Sequence, residues 1–147
     1  MKQWLNDTID QIRDHSDRPI IVRCHPRQRI SLPYGVITSV AKPIVNTYDD
    51  YDFDSILANA HAVVNHNSGP GCQAIIAGIP AFVHSSSLAA PVGNLDLKHI
   101  EEPSRGDRCT WLTNLCHTEW TCEEIATGYP LERLLKSLET LHISVHH

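Results

Sequence analysis

Apolar positions recur along this chain with two periods, one helical and one strand-like. Trp4, Leu5, Thr8, Ile9 and Ile12 share a face over residues 3–14, with acids and Arg13 opposite, which predicts an amphipathic helix. Asp17-Arg18-Pro19 breaks it, and Pro19-Ile20-Ile21-Val22-Arg23 reads as a short β-branched strand. Val36-Ile37-Thr38 carries a weaker strand signal, because Pro33, Gly35 and Pro43 surround it. A short helix is expected over Phe53 to Ala60. The clearest unit follows. An apolar run ends near His66, Asn67-Ser68-Gly69 makes a small-residue turn, Cys72 to Ala77 a helix stopped by Gly78, and Ile79 to Val83 a second strand.

Beyond Val83 the pattern changes. Ser85-Ser86-Ser87 and Ala89-Ala90-Pro91 read as loop, while Asn114 to Cys116 and Thr121 to Ala126 read as helical. Leu131 to Leu141 is a last amphipathic helix with Leu131, Leu134, Leu135, Leu138 and Leu141 as its stripe. Short strands separated by helices imply parallel pairing with right-handed crossovers. The expected fold is therefore α/β: a Rossmann-like three-layer domain with residues 20–23, 62–65 and 80–83 as neighbouring or near-neighbouring parallel strands, and a helical C-terminal segment. With no internal repeat and no low-complexity linker, residues 1–147 are expected to form a single domain.

Composition narrows the partners. A chain of 147 residues is long enough to bury about two-thirds of its unfolded surface. Twelve basic against seventeen acidic side chains give a net charge of −5, the wrong sign for a general nucleic-acid binder. No apolar run approaches the roughly twenty residues of a membrane span, and the polar start Met1-Lys2-Gln3-Trp4-Leu5-Asn6-Asp7 is not a secretory signal. Five cysteines, at 24, 72, 109, 116 and 122, contain no Cys-x-x-Cys pair and read as reduced thiols of a cytoplasmic protein.

Chemistry concentrates at two turns. A turn leading into a helix leaves backbone N–H groups directed above the strand ends, where the helix dipole favours negative charge, so Asn67, Ser68, Gly69 and Gly71 suit a phosphate. A second turn, Arg23-Cys24-His25-Pro26-Arg27, ends the first strong strand. Two such turns in one α/β chain point to a nucleotide ligand.

The run Arg18 to Arg27 resembles the "RPIIVRPHPR" stretch of phage and capsule-polysaccharide glycosyltransferase-like proteins. Asn67-Ser68-Gly69 through Gly78-Ile79-Pro80 is similar to their "NSSG-x-x-A-I-x-x-G-I-P" turn. Trp111-Leu112, Glu119-Trp120-Thr121 and Glu124-Ile125 fall where those proteins carry "W-L…QWT-x-x-E-I-x-x-G". The likeness spans nearly the whole chain. It implies the C-terminal, donor-binding half of a GT-B-type glycosyltransferase, whose donor is a nucleotide sugar used as substrate, without a cofactor. The acceptor side of the cleft belongs in that family to an N-terminal half, so the resemblance leaves a separate N-terminal half or a second copy of the chain as protein partners, no membrane, and nucleic acid only as an acceptor. The chain departs from the pattern at Cys24, where the family often has Pro, and at Gly69-Pro70, where it often has a second Ser. Pro70 removes an N–H that would otherwise face a phosphate, a loss of about 1–3 kcal/mol of binding to a charged acceptor.

On this reading the departing phosphate is stabilised by fixed donors. Ser68 and the amides near Gly69 and Gly71 supply some. His25, at the carboxyl end of a strand where ligands bind in open α/β sheets, is the expected catalytic group. Pro26 stiffens that turn and lies against a base, and Arg23 and Arg27 bracket it as bidentate phosphate ligands. Asn94, Asp96 and Glu101 are the candidates for a ribose contact. His61, His66 and His84 invite a zinc reading, but their spacing lacks a tight ligand motif, and no metal is expected. Trp111 and Trp120 are expected as packing anchors. The alternative to an enzyme is a catalytically inactive nucleotide- or sugar-phosphate-binding module.

Overall fold

The computed structural model describes residues 2–24, 31–40, 45 and 52–145. The elements in order are α1 (Lys2–His15), β1 (Ile21–Cys24), β2 (Ile37–Val40), α2 (Asp54–Leu57), β3 (Val63–Val64), α3 (Gly69–Ile76) and β4 (Ala81–Phe82). A 3₁₀ turn follows at Leu97–His99, then α4 (Arg108–Cys116), α5 (Cys122–Ala126) and α6 (Tyr129–Val145). The protein is mixed α/β with two small sheets, each of two parallel strands. Its contacts group residues 1–108 into one compact unit and 109–147 into another.

In the first unit β3 and β4 pair in parallel, Val63 opposite Ala81 and Val64 opposite Phe82, as expected for strands joined through a helix. The ladder extends beyond both ends of the strands. Val63 N donates to Pro80 O at 2.9 Å, Asn65 N to Phe82 O at 3.0 Å and His84 N to His66 O at 2.9 Å. The other edge of β4 is occupied by Asn94, whose N donates to Ala81 O at 2.8 Å while Val83 N donates to Asn94 O at 2.9 Å.

Among the described residues β1 does not join this sheet. It pairs instead with β2, in register Ile21 with Ile37 and Arg23 with Ser39. Two facts account for the difference from the expected single sheet. Asn94 already fills one edge of β4, and β2 lies close in sequence with β-branched residues opposite those of β1.

Helix α3 begins at Gly69, three residues before the expected Cys72, because Gly69 and Pro70 are accommodated in the first turn, where N–H groups have no intrahelical partner. Its end is a Schellman motif. Gly78 sits at φ +82°, Gly78 N donates to Ile75 O at 3.0 Å and Ile79 N to Ala74 O at 2.8 Å. Arg105 Nη1 also donates to Gly78 O at 2.6 Å, bringing positive charge to the negative end of the helix. Ala74, Ile75, Ala81, Phe82 and Val83 are buried where α3 crosses the sheet, with Leu57 and Ile100 among the other core residues. On α1 the expected stripe is buried at Thr8 and Ile9, and α1 packs on the 3₁₀ turn.

In the second unit, α5 starts with a capping box. Thr121 Oγ1 accepts from Glu124 N at 3.2 Å, and Glu124 Oε2 accepts from Thr121 N at 2.8 Å. Trp120 meets Tyr129 edge-on at 5.5 Å and carries the Arg133 guanidinium 5.5 Å from its ring centre, so it packs the start of α6 as expected. Trp111 is buried. Of the predicted stripe of α6, Leu131, Leu134, Leu135 and Leu138 are each more than half exposed.

Candidate functional site

The β3–α3 turn places Asn67, Ser68, Gly69 and Gly71 at the carboxyl ends of two parallel strands, the position where open α/β sheets bind ligands. Ser68 is the N-cap of α3, with extended φ and ψ of −142° and 160°, yet its hydroxyl makes no capping hydrogen bond. That hydroxyl is therefore open to a ligand. Ser68 O accepts from Gly71 N at 3.1 Å, so the Gly71 amide is engaged within the turn. With Pro70 lacking an N–H, the Gly69 amide is the donor of the first turn best able to meet an anion.

Gly71 has a packing reason as well. A Cβ there would lie 2.9 Å from Asn65 Nδ2 and 3.1 Å from both Asn65 Oδ1 and Val83 Cγ1. The small residue lets α3 sit close on β3. Gly69 is unconstrained, with nothing within 4 Å of a Cβ.

Arg23, on β1, holds its guanidinium 5.1 Å from the centre of the Phe53 ring. Its Nη1 is buried and meets no hydrogen-bond partner among the described residues. Burial lowers the Arg23 pKa from its ordinary value, while Asp52 acts in the opposite direction. A buried guanidinium donor lacking an acceptor is costly unless a ligand supplies one. His25, Pro26 and Arg27 lie outside the described residues.

Two of the three histidines weighed for zinc form a second constellation at the same strand ends. Val64 and Phe82 are in register, and two residues further along each strand stand His66 and His84. Their rings are stacked with centres 4.5 Å apart and planes 11° from parallel. Trp4 of α1 meets His66 edge-on at 5.7 Å. His84 Nδ1 lies 2.8 Å from Ser86 Oγ, and Asn67 Nδ2 donates to that hydroxyl at 3.3 Å. The signal was available in the sequence, since His66 and His84 occupy equal offsets on strands expected to be parallel neighbours.

The remaining candidates have structural partners. His61 Nε2 donates to Ile100 O at 2.8 Å, well separated in role from the other two histidines. Among the described residues no group of three or more His, Cys, Asp or Glu side chains is arranged to hold a metal ion. Asn94 Nδ2 donates to Ser104 O at 3.0 Å, and Ser104 N donates to Asn94 Oδ1 at 2.9 Å. Asp96 caps the 3₁₀ turn, accepting from Lys98 N at 3.0 Å. Glu101 is held by Ser16 and by Arg18, whose Nε stands at 3.0 Å. All three ribose candidates are thus engaged in holding loops.

No helix among the described residues is long and apolar enough to cross a membrane. No protein-family model, no curated protein and no solved structure matches the chain.

Proposed function

We propose that this chain is a donor-binding domain of the GT-B glycosyltransferase type, with a Rossmann-like three-layer arrangement, that takes a nucleotide sugar by its phosphates. The observation that carries the reading is the β3–α3–β4 crossover, with the Ser68 hydroxyl and Gly69 amide at the carboxyl ends of its parallel strands. Arg23 supports it through its buried Nη1, which meets no hydrogen-bond partner among the described residues. The resemblance around His25, Pro26 and Arg27 supplies the rest: His25 as the group that stabilises or protonates the departing phosphate, Pro26 against the base, and Arg27 on a phosphate.

Transfer also needs an acceptor held in line and a base to take its proton. On this reading a second half, or a partner, provides both, so the chain alone binds donor weakly and transfers little. A specific observation favours the second reading, an inactive nucleotide- or sugar-phosphate-binding module. Pro70 and the engaged Gly71 amide leave a cradle with fewer donors than the resembling turn would have.

Calorimetry with uridine, cytidine, guanosine and thymidine sugar nucleotides, followed by transfer assays on the best binder, tests both. Binding without transfer is the expected result. No heat and no competition at millimolar ligand would dismiss a nucleotide site altogether, and robust transfer by the chain alone would remove the need for a second half.

A further inference from the structure

We infer that His84 is a phosphate-contacting side chain of the β3–α3 site, presented as an Nε2–H donor by a hydrogen-bond chain running from Asn67 through Ser86, an assignment that rests on the phosphate-binding reading of that turn.

The tautomer follows from the donors around the ring. Ser86 N is 3.2 Å from His84 Nδ1, and a backbone N–H can only donate. Ser86 Oγ accepts from Asn67 Nδ2 and has its own proton to give to Nδ1 at 2.8 Å. His84 Nδ1 therefore carries a lone pair, and the proton of the neutral ring is on Nε2. Asn67, expected from the sequence to touch phosphate directly, acts here through Ser86 and His84 as a positioning residue.

The ring is held in plane as well as in tautomer. It stacks on His66, which is braced edge-on by Trp4, and the backbone ties the two histidines through His84 N to His66 O at 2.9 Å. Both histidines are nonetheless exposed. Among the described residues, His84 Nε2 and both ring nitrogens of His66 meet no hydrogen-bond partner. A donor fixed this firmly, at the carboxyl end of a parallel strand and two residues past Phe82, suits an anion whose charge grows during reaction. The ligand chemistry is a phosphate or diphosphate group, whether free pyrophosphate or the diphosphate of a nucleotide.

The test titrates inorganic pyrophosphate and uridine diphosphate into the full chain by calorimetry, with the histidine ring nitrogens followed by ¹⁵N NMR. The wild type should show the Nε2–H tautomer at His84 and a shift of that nitrogen on binding. His84→Phe keeps a stacking ring and lacks the donor, and should weaken binding by about tenfold, the scale of one charge-assisted hydrogen bond. Ser86→Ala should weaken it by about threefold while keeping the Nε2–H tautomer, because the backbone N–H at that position still donates to His84 Nδ1. An affinity unchanged in His84→Phe, or a His84 Nε2 signal unmoved at saturating ligand, would overturn the assignment and leave the nucleotide reading standing. Pyrophosphate binding that depends on His84, with nucleotides bound no better, would keep the assignment and remove the nucleotide. Failure of the wild type to bind either ligand would end both. The NMR arm decides the matter even if a variant does not fold.

Discussion

Asn65 and Gly71 face each other so closely that the helix rests on the strand without room for a methyl group between them. A Cβ on Gly71 would stand 2.9 Å from Asn65 Nδ2, and the same amide donates to Ser68 O at 3.3 Å. The strand, the turn and the first turn of α3 are thus joined through one side chain. Asn65 Oδ1 is buried without a partner among the described residues, so the contact already carries a cost that further crowding would add to.

Gly71→Ala should therefore destabilise the first unit by about 1–3 kcal/mol, despite the better helix propensity of alanine. Gly69→Ala, two residues away with open space around it, should be neutral or stabilising by up to about 1 kcal/mol. Urea unfolding of both variants reads the difference. Equal effects would mean that α3 does not rest on β3 as described.

Arg23→Met should separate stability from binding. It removes a buried donor without a hydrogen-bond partner among the described residues while keeping much of the side chain over Phe53, so the melting temperature should hold or rise. Nucleotide affinity should fall by about tenfold if the guanidinium meets phosphate. A large fall in melting temperature with affinity retained would make Arg23 a structural residue.

Thr121→Ala removes one half of the capping box at α5 and should cost about 0.5–2 kcal/mol, all of it in the second unit. Amide exchange checks this by location. Faster exchange at Glu124 and its neighbours, with β3 and β4 unchanged, is the expected pattern.

Glu101 gives a pH-dependent test. The Ser16 hydroxyl first, and then Arg18, hold its carboxyl below the ordinary glutamate range. A carboxyl that ionises more readily folded than unfolded contributes stability above its unfolded pKa. That contribution disappears as the pH falls through the lowered folded value. Ser16→Ala should move the Glu101 pKa back toward the ordinary value, read from its side-chain carboxyl carbon by NMR titration. No movement would assign the effect to Arg18 and the more distant His61.

Much of the central unit was legible in the sequence because local rules agree there. An apolar run, a small-residue turn and a glycine stop together specify β3, α3 and β4, and Gly78 takes the left-handed conformation its position demands. The start of α3 was misread by three residues, since Gly-Pro-Gly looks like a turn although it fits a first helical turn. Which strands share a sheet was not legible. That choice depends on contacts such as Asn94 beside Phe82, which no local period encodes. That His66 and His84 pair with each other and not with His61 was not legible for a related reason. His66 and His84 become neighbours only when the register of two separate strands is known.

Asn94 has a vulnerability that follows from its geometry. Its side-chain amide imitates a peptide group, giving and receiving one hydrogen bond each with the backbone of Ser104, while its own backbone serves as a strand beside β4. Spontaneous deamidation would exchange the donor –NH₂ for a carboxylate oxygen. The Ser104 carbonyl, now 3.0 Å from a donor, would then face a negative charge. Ageing chemistry at one side chain would release the loop through Ser104 and would also set the new charge against the Ala81 carbonyl of β4, to which Nδ2 donates at 3.4 Å.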